Sequence, residues 1–128
     1  MAEKKASSVR LYLTYRAVRD IAEFRKYSVV HFGRRVANHY LSTVENTLYL
    51  LKSSPSLLRD QPELHYWFKF YRRKKHFLVC DQQAGGIYVL TLIHTSMDIP
   101  TRLLELEPSL TMEVALLHRK LQQARKKS

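Results

Sequence analysis

Hydrophobic and polar positions alternate in two rhythms along this chain. At Val9, Leu11 and Leu13 apolar residues take every second place against Arg10, Tyr12 and Thr14, the period of a strand with one buried face. Over residues 16–32 the rhythm lengthens: Val18, Ile21, Ala22 and Phe24 gather on one helical face, opposite Arg19, Glu23 and Lys26. Gly33 is placed to stop that helix in a left-handed cap. A second stripe, Val36, Tyr40, Val44, Leu48 and Leu51, flanked by Ala37 and Leu41, predicts another helix folded back on the first as an antiparallel hairpin. Ser53, Ser54 and Pro55 end it, and a loop runs through Pro62.

Strand rhythm then returns. Leu64, Tyr66, Phe68 and Phe70 alternate with His65, Trp67, Lys69 and Tyr71, an aromatic pattern suited to a half-buried pleated surface. Residues 76–80 and 87–94 read as two further strands joined by a turn at Gly85 and Gly86, where positive φ costs little. Pairing them brings His94 and Asp98 near Arg72, Arg73, Lys74 and Lys75. Asp98 can cap a short helix over residues 101–106, with Pro100 in its first turn and Pro108 ending it. In the last segment Leu110, Val114, Leu117, Leu121 and Ala124 form a narrow seam for one helical partner, either its own domain or another chain. The fold class is therefore α+β: an N-terminal strand, an α-hairpin, a three-stranded antiparallel sheet, a short helix and an extra C-terminal helix.

Composition narrows the function classes. A chain of 128 residues with 45% hydrophobic content supports one ordinary core, so a single domain is expected, with its core over about residues 9–104 and a helical extension over about 109–126. Residues 1–8 are polar and lack an apolar signal core, and no apolar run approaches the ~20 residues that cross a bilayer. A cytoplasmic protein with no membrane partner is expected. The lone Cys80 sits in an apolar strand, excludes an intrachain disulfide framework and reads as a small buried residue. Lys and Arg number 22 against 11 acidic residues, a net charge of +11. Such a field attracts nucleic acid or acidic proteins, although a basic surface with no specific partner has the same composition.

Candidate chemistry lies around the central hairpin, in Arg72, Arg73, Lys74, Lys75, His76, His94 and Asp98. A histidine among cations has its charged form disfavoured and can act as a base near neutral pH. The plainer alternative has His94 ending a strand with a local hydrogen bond while Asp98 caps a helix. The aromatic strand is either core or a platform for stacking bases. Arg119, Lys120 and Arg125 either complement a helix dipole or bind a polyanion. His31, His39, His65 and His118 show no spacing that suggests zinc ligands, so neither metal nor cofactor is expected.

Several short motifs carry a resemblance. They are Ala17 with Asp20-Ile21, Phe32-Gly33, Ala37 with Tyr40, Gln61-Pro62-Glu63-Leu64, His76-Phe77-Leu78-Val79, and Ile93-His94 followed by Met97-Asp98-Ile99-Pro100. In this order the chain resembles the RelE/ParE superfamily of bacterial type II toxins, and the ParE branch in particular, over roughly residues 9–104. The resemblance implies a toxin neutralised by a cognate antitoxin whose partly disordered segment wraps it. ParE-like members are expected to block DNA gyrase by binding, without a catalytic constellation. RelE-like members resemble metal-free nucleases that cut messenger RNA in the ribosome, with an arginine on the central strand and a tyrosine after the last strand. Here residues 76–81 hold no arginine and no tyrosine follows Tyr88, which favours the gyrase reading. In the nuclease alternative His94, Arg72, Arg73 and Lys75 would carry the chemistry; in a further alternative the chain is a degenerate member kept as a non-toxic basic interaction module. As target contacts the resemblance leaves Arg72, Arg73, Lys74, Lys75, His76, His94, Asp98, Arg119, Lys120 and Arg125. Leu110, Val114, Leu117 and Leu121 are the candidates for an antitoxin or oligomer contact. The resemblance is weakened at Cys80-Asp81, where many relatives place an aromatic and a basic residue.

Overall fold

Strand β1, Arg10–Leu13, gives way to helix α1, Tyr15–Phe32, at Thr14. Thr14 has extended backbone (φ −69, ψ 165) and its side chain accepts from the Ala17 N–H, satisfying a donor that the first helical turn leaves open. At Gly33 the backbone takes φ +89 and its N–H donates to the Val29 carbonyl at 3.0 Å. An added Cβ there would meet nothing within 4 Å, so conformation rather than space calls for glycine. Helix α2, Arg34–Ser53, starts at once. The computed structural model describes residues 9–83 and 86–127, apart from the side chains of Tyr66 and of residues 125–127. Residues 1–8 and the turn residue Gly85 lie outside the described residues. The chain divides into two compact units, Met1–Ser96 and Met97–Ser128.

In the first unit α1 and α2 cover one face of the sheet. Ala17, Ile21 and Phe24 of α1, with Tyr40, Val44, Leu48 and Leu51 of α2, pack on Leu78, Cys80, Ile87, Val89 and Leu92. The expected stripes are out of phase by one residue at their starts: Val18 and Val36 are 52% and 47% exposed, while the neighbouring Ala17 and Ala37 are fully buried. Small side chains occupy the inward positions where each helix begins, a choice that a count of large apolar residues misreads.

The sheet has five strands rather than three, in the order β1-β5-β4-β3-β2. After a 3-10 turn at Pro55–Leu57 come β2 (Arg59–Gln61), β3 (His65–Arg73), β4 (His76–Gln83) and β5 (Gly86–His94). The short strand β2 has no apolar residue and is made by pairing with β3, across which Lys69 bridges Asp60 at 2.7 Å. The N-terminal strand joins the same sheet and does so in parallel, Leu11 opposite Ile87 and Leu13 opposite Val89. The sheet is therefore mixed. β5 carries a bulge: Val79 faces Thr91 while Cys80 faces Val89, which leaves Leu90 as the extra residue.

The second unit holds helix α3, which runs without a break over Ile99–Lys127 and contains Pro108. The expected short helix and separate C-terminal helix are thus one element. A proline inside a helix removes one N–H and crowds the carbonyl four residues earlier. Here that carbonyl belongs to Leu104, a residue 74% exposed, and strong helix formers flank the proline on both sides. Among the described residues, no helix is long and apolar enough to cross a membrane.

Candidate functional site

The register of the sheet assembles a row that the sequence does not spell out. At the end of the β3–β4 hairpin Arg73 stands opposite His76, and His76 stands opposite His94 on β5. Directly opposed residues share a face and lie about 4.5–5.5 Å apart at Cβ, so Arg73, His76 and His94 form a basic row across three strands. It lies on the helix-covered face, continuing the line of Tyr71, Leu78 and Leu92. The ring of Tyr40 on α2 lies 4.4 Å from that of His76, and Phe24 on α1 lies 5.8 Å from His94. His76 is only 2% exposed, and neither of its ring nitrogens, nor Nε of Arg73, has a partner of hydrogen-bond geometry.

Burial lowers the pKa of both histidines. For His76 the nearby Lys75 backbone works against the shift and His94 adds a smaller downward push. For His94 the Lys75 charge adds to burial. The Ser96 N–H donates to His94 Nδ1 at 3.1 Å, and Ser96 Oγ lies 2.7 Å from the same nitrogen. A ring nitrogen that accepts from an N–H keeps its lone pair, so the neutral ring carries its proton on Nε2. Tyr40 is held protonated by burial first and by Asp20 second.

Asp20 on α1 closes this end of the sheet. Its Oδ2 accepts from the Thr91 hydroxyl and, at 3.3 Å, from the Leu92 N–H beside the bulge. Thr14 takes the other freed groups: its hydroxyl donates to the Leu90 carbonyl at 3.0 Å and its N–H to Val89 at 3.1 Å. Burial raises the Asp20 pKa, against those hydrogen bonds and the charges of Arg16 and Arg19.

The remaining candidates separate. Strand alternation puts Arg72, paired with Phe77, on the opposite face from Arg73. Lys74 and Lys75 form the exposed hairpin turn, with Lys74 at φ +53, the one described non-glycine residue at positive φ. The Lys75 carbonyl accepts from the Thr95 N–H at 3.0 Å, so His94 does come beside this turn. In the second unit Asp98 Oδ1 accepts from the Thr101 N–H at 3.3 Å, capping α3. Arg119 and Lys120 are exposed on α3, whereas the Arg125 side chain lies outside the described residues. Leu110, Val114, Leu117 and Leu121 recur along one face of α3, the first two buried and the others half-buried. Cys80 is fully buried and its thiol is pushed up by burial and by Asp81, a structural residue. Among the described side chains of the aromatic strand, Phe68 and Phe70 are buried and Trp67 is exposed. No group of three His, Cys, Asp or Glu that could hold a metal occurs among the described residues.

Residues 11–99 match the family model of the ParE toxin of the type II toxin–antitoxin system parDE. The chain belongs to the ParE toxin family. Solved structures agree with the fold of this ParE-family protein. A chain of the chromosomal ParDE system from P. aeruginosa superposes with a TM-score of 0.60 at 14% identity, over 69% of this chain and 97% of that one. A chain of the RelBE2 toxin–antitoxin complex from Mycobacterium tuberculosis gives 0.52 at 16% identity, over 71% and 95%. No curated protein matches in sequence. The family match ends at residue 99, where α3 of this ParE-family chain begins.

Two features escaped sequence reasoning. Asp20 and Tyr40 carry the resemblance in the sequence, but that Tyr40 covers His76 and that Asp20 holds Thr91 is visible only once the bulge and the hairpin crossing are known. The tip of the α1–α2 hairpin is open and apolar: Tyr27, Val30, Phe32 and Val36 are all exposed, the second at 75%. Arg25, Lys26, Arg34 and Arg35 surround it, also exposed. His31 stacks on Tyr27 at 3.9 Å and its Nδ1–H donates to the Tyr27 carbonyl at 2.9 Å.

Proposed function

We propose that this ParE-family toxin acts by binding DNA gyrase, without catalysis of its own, and that a cognate antitoxin holds it inactive. The observation that carries the reading is a ParE-type match combined with a β4 strand, HFLVCDQQ, that offers no arginine. No tyrosine follows Tyr88, so the tyrosine expected of a RelE-like nuclease is missing as well. Arg72, Lys74 and Lys75 at one hairpin, with Arg119 and Lys120 on α3, then serve as docking cations for the enzyme or its DNA. The exposed hairpin tip, apolar and ringed by arginine and lysine, fits an amphipathic acidic segment of the antitoxin, whose folding onto the toxin would bury apolar side chains.

Purified protein is tested for loss of gyrase supercoiling and for accumulation of cleaved DNA, with in vitro translation run in parallel. Supercoiling that is unaffected at molar excess overturns the proposal. The second reading, messenger cleavage in the ribosome, draws on the Arg73–His76–His94 row. Its outcome would be intact supercoiling, arrested translation, and loss of toxicity in His94→Ala.

A further inference from the structure

The basic row at the end of the β3–β4 hairpin lacks something its chemistry requires. Arg73 Nε and both ring nitrogens of His76, one a donor and one an acceptor in the neutral ring, are shielded from water and have no partner of hydrogen-bond geometry. Leaving a buried donor unmatched costs about 1–3 kcal/mol, and native folds rarely do so at adjacent positions. Like-charged or potentially charged neighbours placed directly opposite across strands are also unfavourable. Arg73, His76 and His94 occupy three consecutive opposed positions, and Lys75 lies close enough to depress the His94 pKa. A negative ligand would remove both penalties.

We infer that Arg73, His76 and His94, with Lys75 beside them, form a binding site for a phosphate group, free or esterified. The inference stands apart from the gyrase reading and holds whichever target the toxin has. Arginine supplies a permanent charge and a planar fork suited to oxyanions. His94 has Nδ1 occupied by Ser96, which leaves Nε2–H as a donor. His76 offers a further N–H, and Tyr40, kept protonated by its surroundings, covers it with its ring at 4.4 Å. Donors spread over three strands match a tetrahedral oxyanion better than a planar carboxylate, whose two oxygens reach fewer of them. A metal cation is disfavoured by Arg73 and Lys75. Asp20, the carboxylate that acts on Tyr40, is already engaged by Thr91 and Leu92. Arg73 and His94 are partly exposed while His76 is closed in, so the ligand enters beside them.

The test is an NMR titration of the histidine ring protons of the full chain with sodium phosphate at constant ionic strength. Saturable shifts of His76 and His94, with an upward move of both ring pKa values, are expected. Because His76 variants remove a core residue, the decisive variants are Arg73→Gln and His94→Gln, each checked for an unchanged melting curve. Arg73→Gln should weaken phosphate binding by at least about tenfold, while Arg72→Gln, on the other face of the same strand, should change it less than about twofold. A mononucleotide and a short oligonucleotide form further arms. Shifts of the same rings at lower oligonucleotide concentration assign the phosphate to a nucleic-acid backbone, and shifts with inorganic phosphate alone assign a free ion. Absence of saturation with every phosphate probe, equal weakening by Arg72→Gln, or tighter binding of acetate than of phosphate overturns the proposal.

Discussion

His76 and His94 are held less basic than free histidine, each chiefly by burial. Each therefore binds its proton more weakly in the folded chain than in the unfolded one, whose value is 6.5. Between those values the unfolded chain carries the extra protons, so the histidines' contribution to stability is complete above 6.5 and falls as acid is added, while Asp20, whose pKa is raised, acts in the opposite direction at lower pH. Melting temperature should drop as pH is lowered from about 7.5 to about 5, and the slope should be shallower in His94→Gln. A melting temperature independent of pH across that window would contradict the assignment. The nearness of His94 to the basic hairpin was legible in the sequence, because two apolar strands joined by a short turn fix which ends meet. Which cation faces the row was not. Arg72 and Arg73 differ by one residue, and a one-residue difference on a strand selects the opposite face. Asp20 was illegible as a site residue for a different reason: its partners, Thr91 and the Leu92 N–H, lie 71 and 72 residues away in sequence, next to an irregular register.

At the scale of elements, the long periodic segments were readable and the unpatterned ones were not. α1, α2 and the strands β3 to β5 follow from spacing alone, since each must bury one face. β2 is three polar residues, RDQ, that become a strand only by pairing with β3. α3 went the other way, because local chemistry argued for a break at Pro108 that the helix does not make. That continuity has a measurable cost. Pro108→Ala restores an N–H and relieves the crowding at Leu104, and it should stabilise α3 by up to about 3 kcal/mol. Amide exchange within the helix, compared between the two proteins, reads the difference. Unchanged or faster exchange in the variant would mean that the proline sits there without strain.

For the whole molecule the governing quantity is a net charge of +11. Encounter with an acidic partner is then steered by a field whose reach is about 10 Å at 0.1 M salt. The association rate with an acidic antitoxin should fall by at least about tenfold between 0.05 and 0.5 M salt, with a much smaller change in dissociation rate. Stopped-flow mixing measures both. A rate insensitive to salt would show that the charge serves solubility alone. Fold membership was legible at this scale because order and spacing of elements survive where identity falls to 14%; the cellular target was not, because a docking surface has no fixed residue pattern comparable to a catalytic one.

The first strand lies beside the last. β1 has no strand to pair with until β5 exists, and the Thr14 side chain waits for a carbonyl 76 residues further along the chain. During synthesis at about 5–20 residues per second, the N-terminal strand must remain unzipped for several seconds after it leaves the exit tunnel. In that interval a partner already present can meet the chain before the sheet closes.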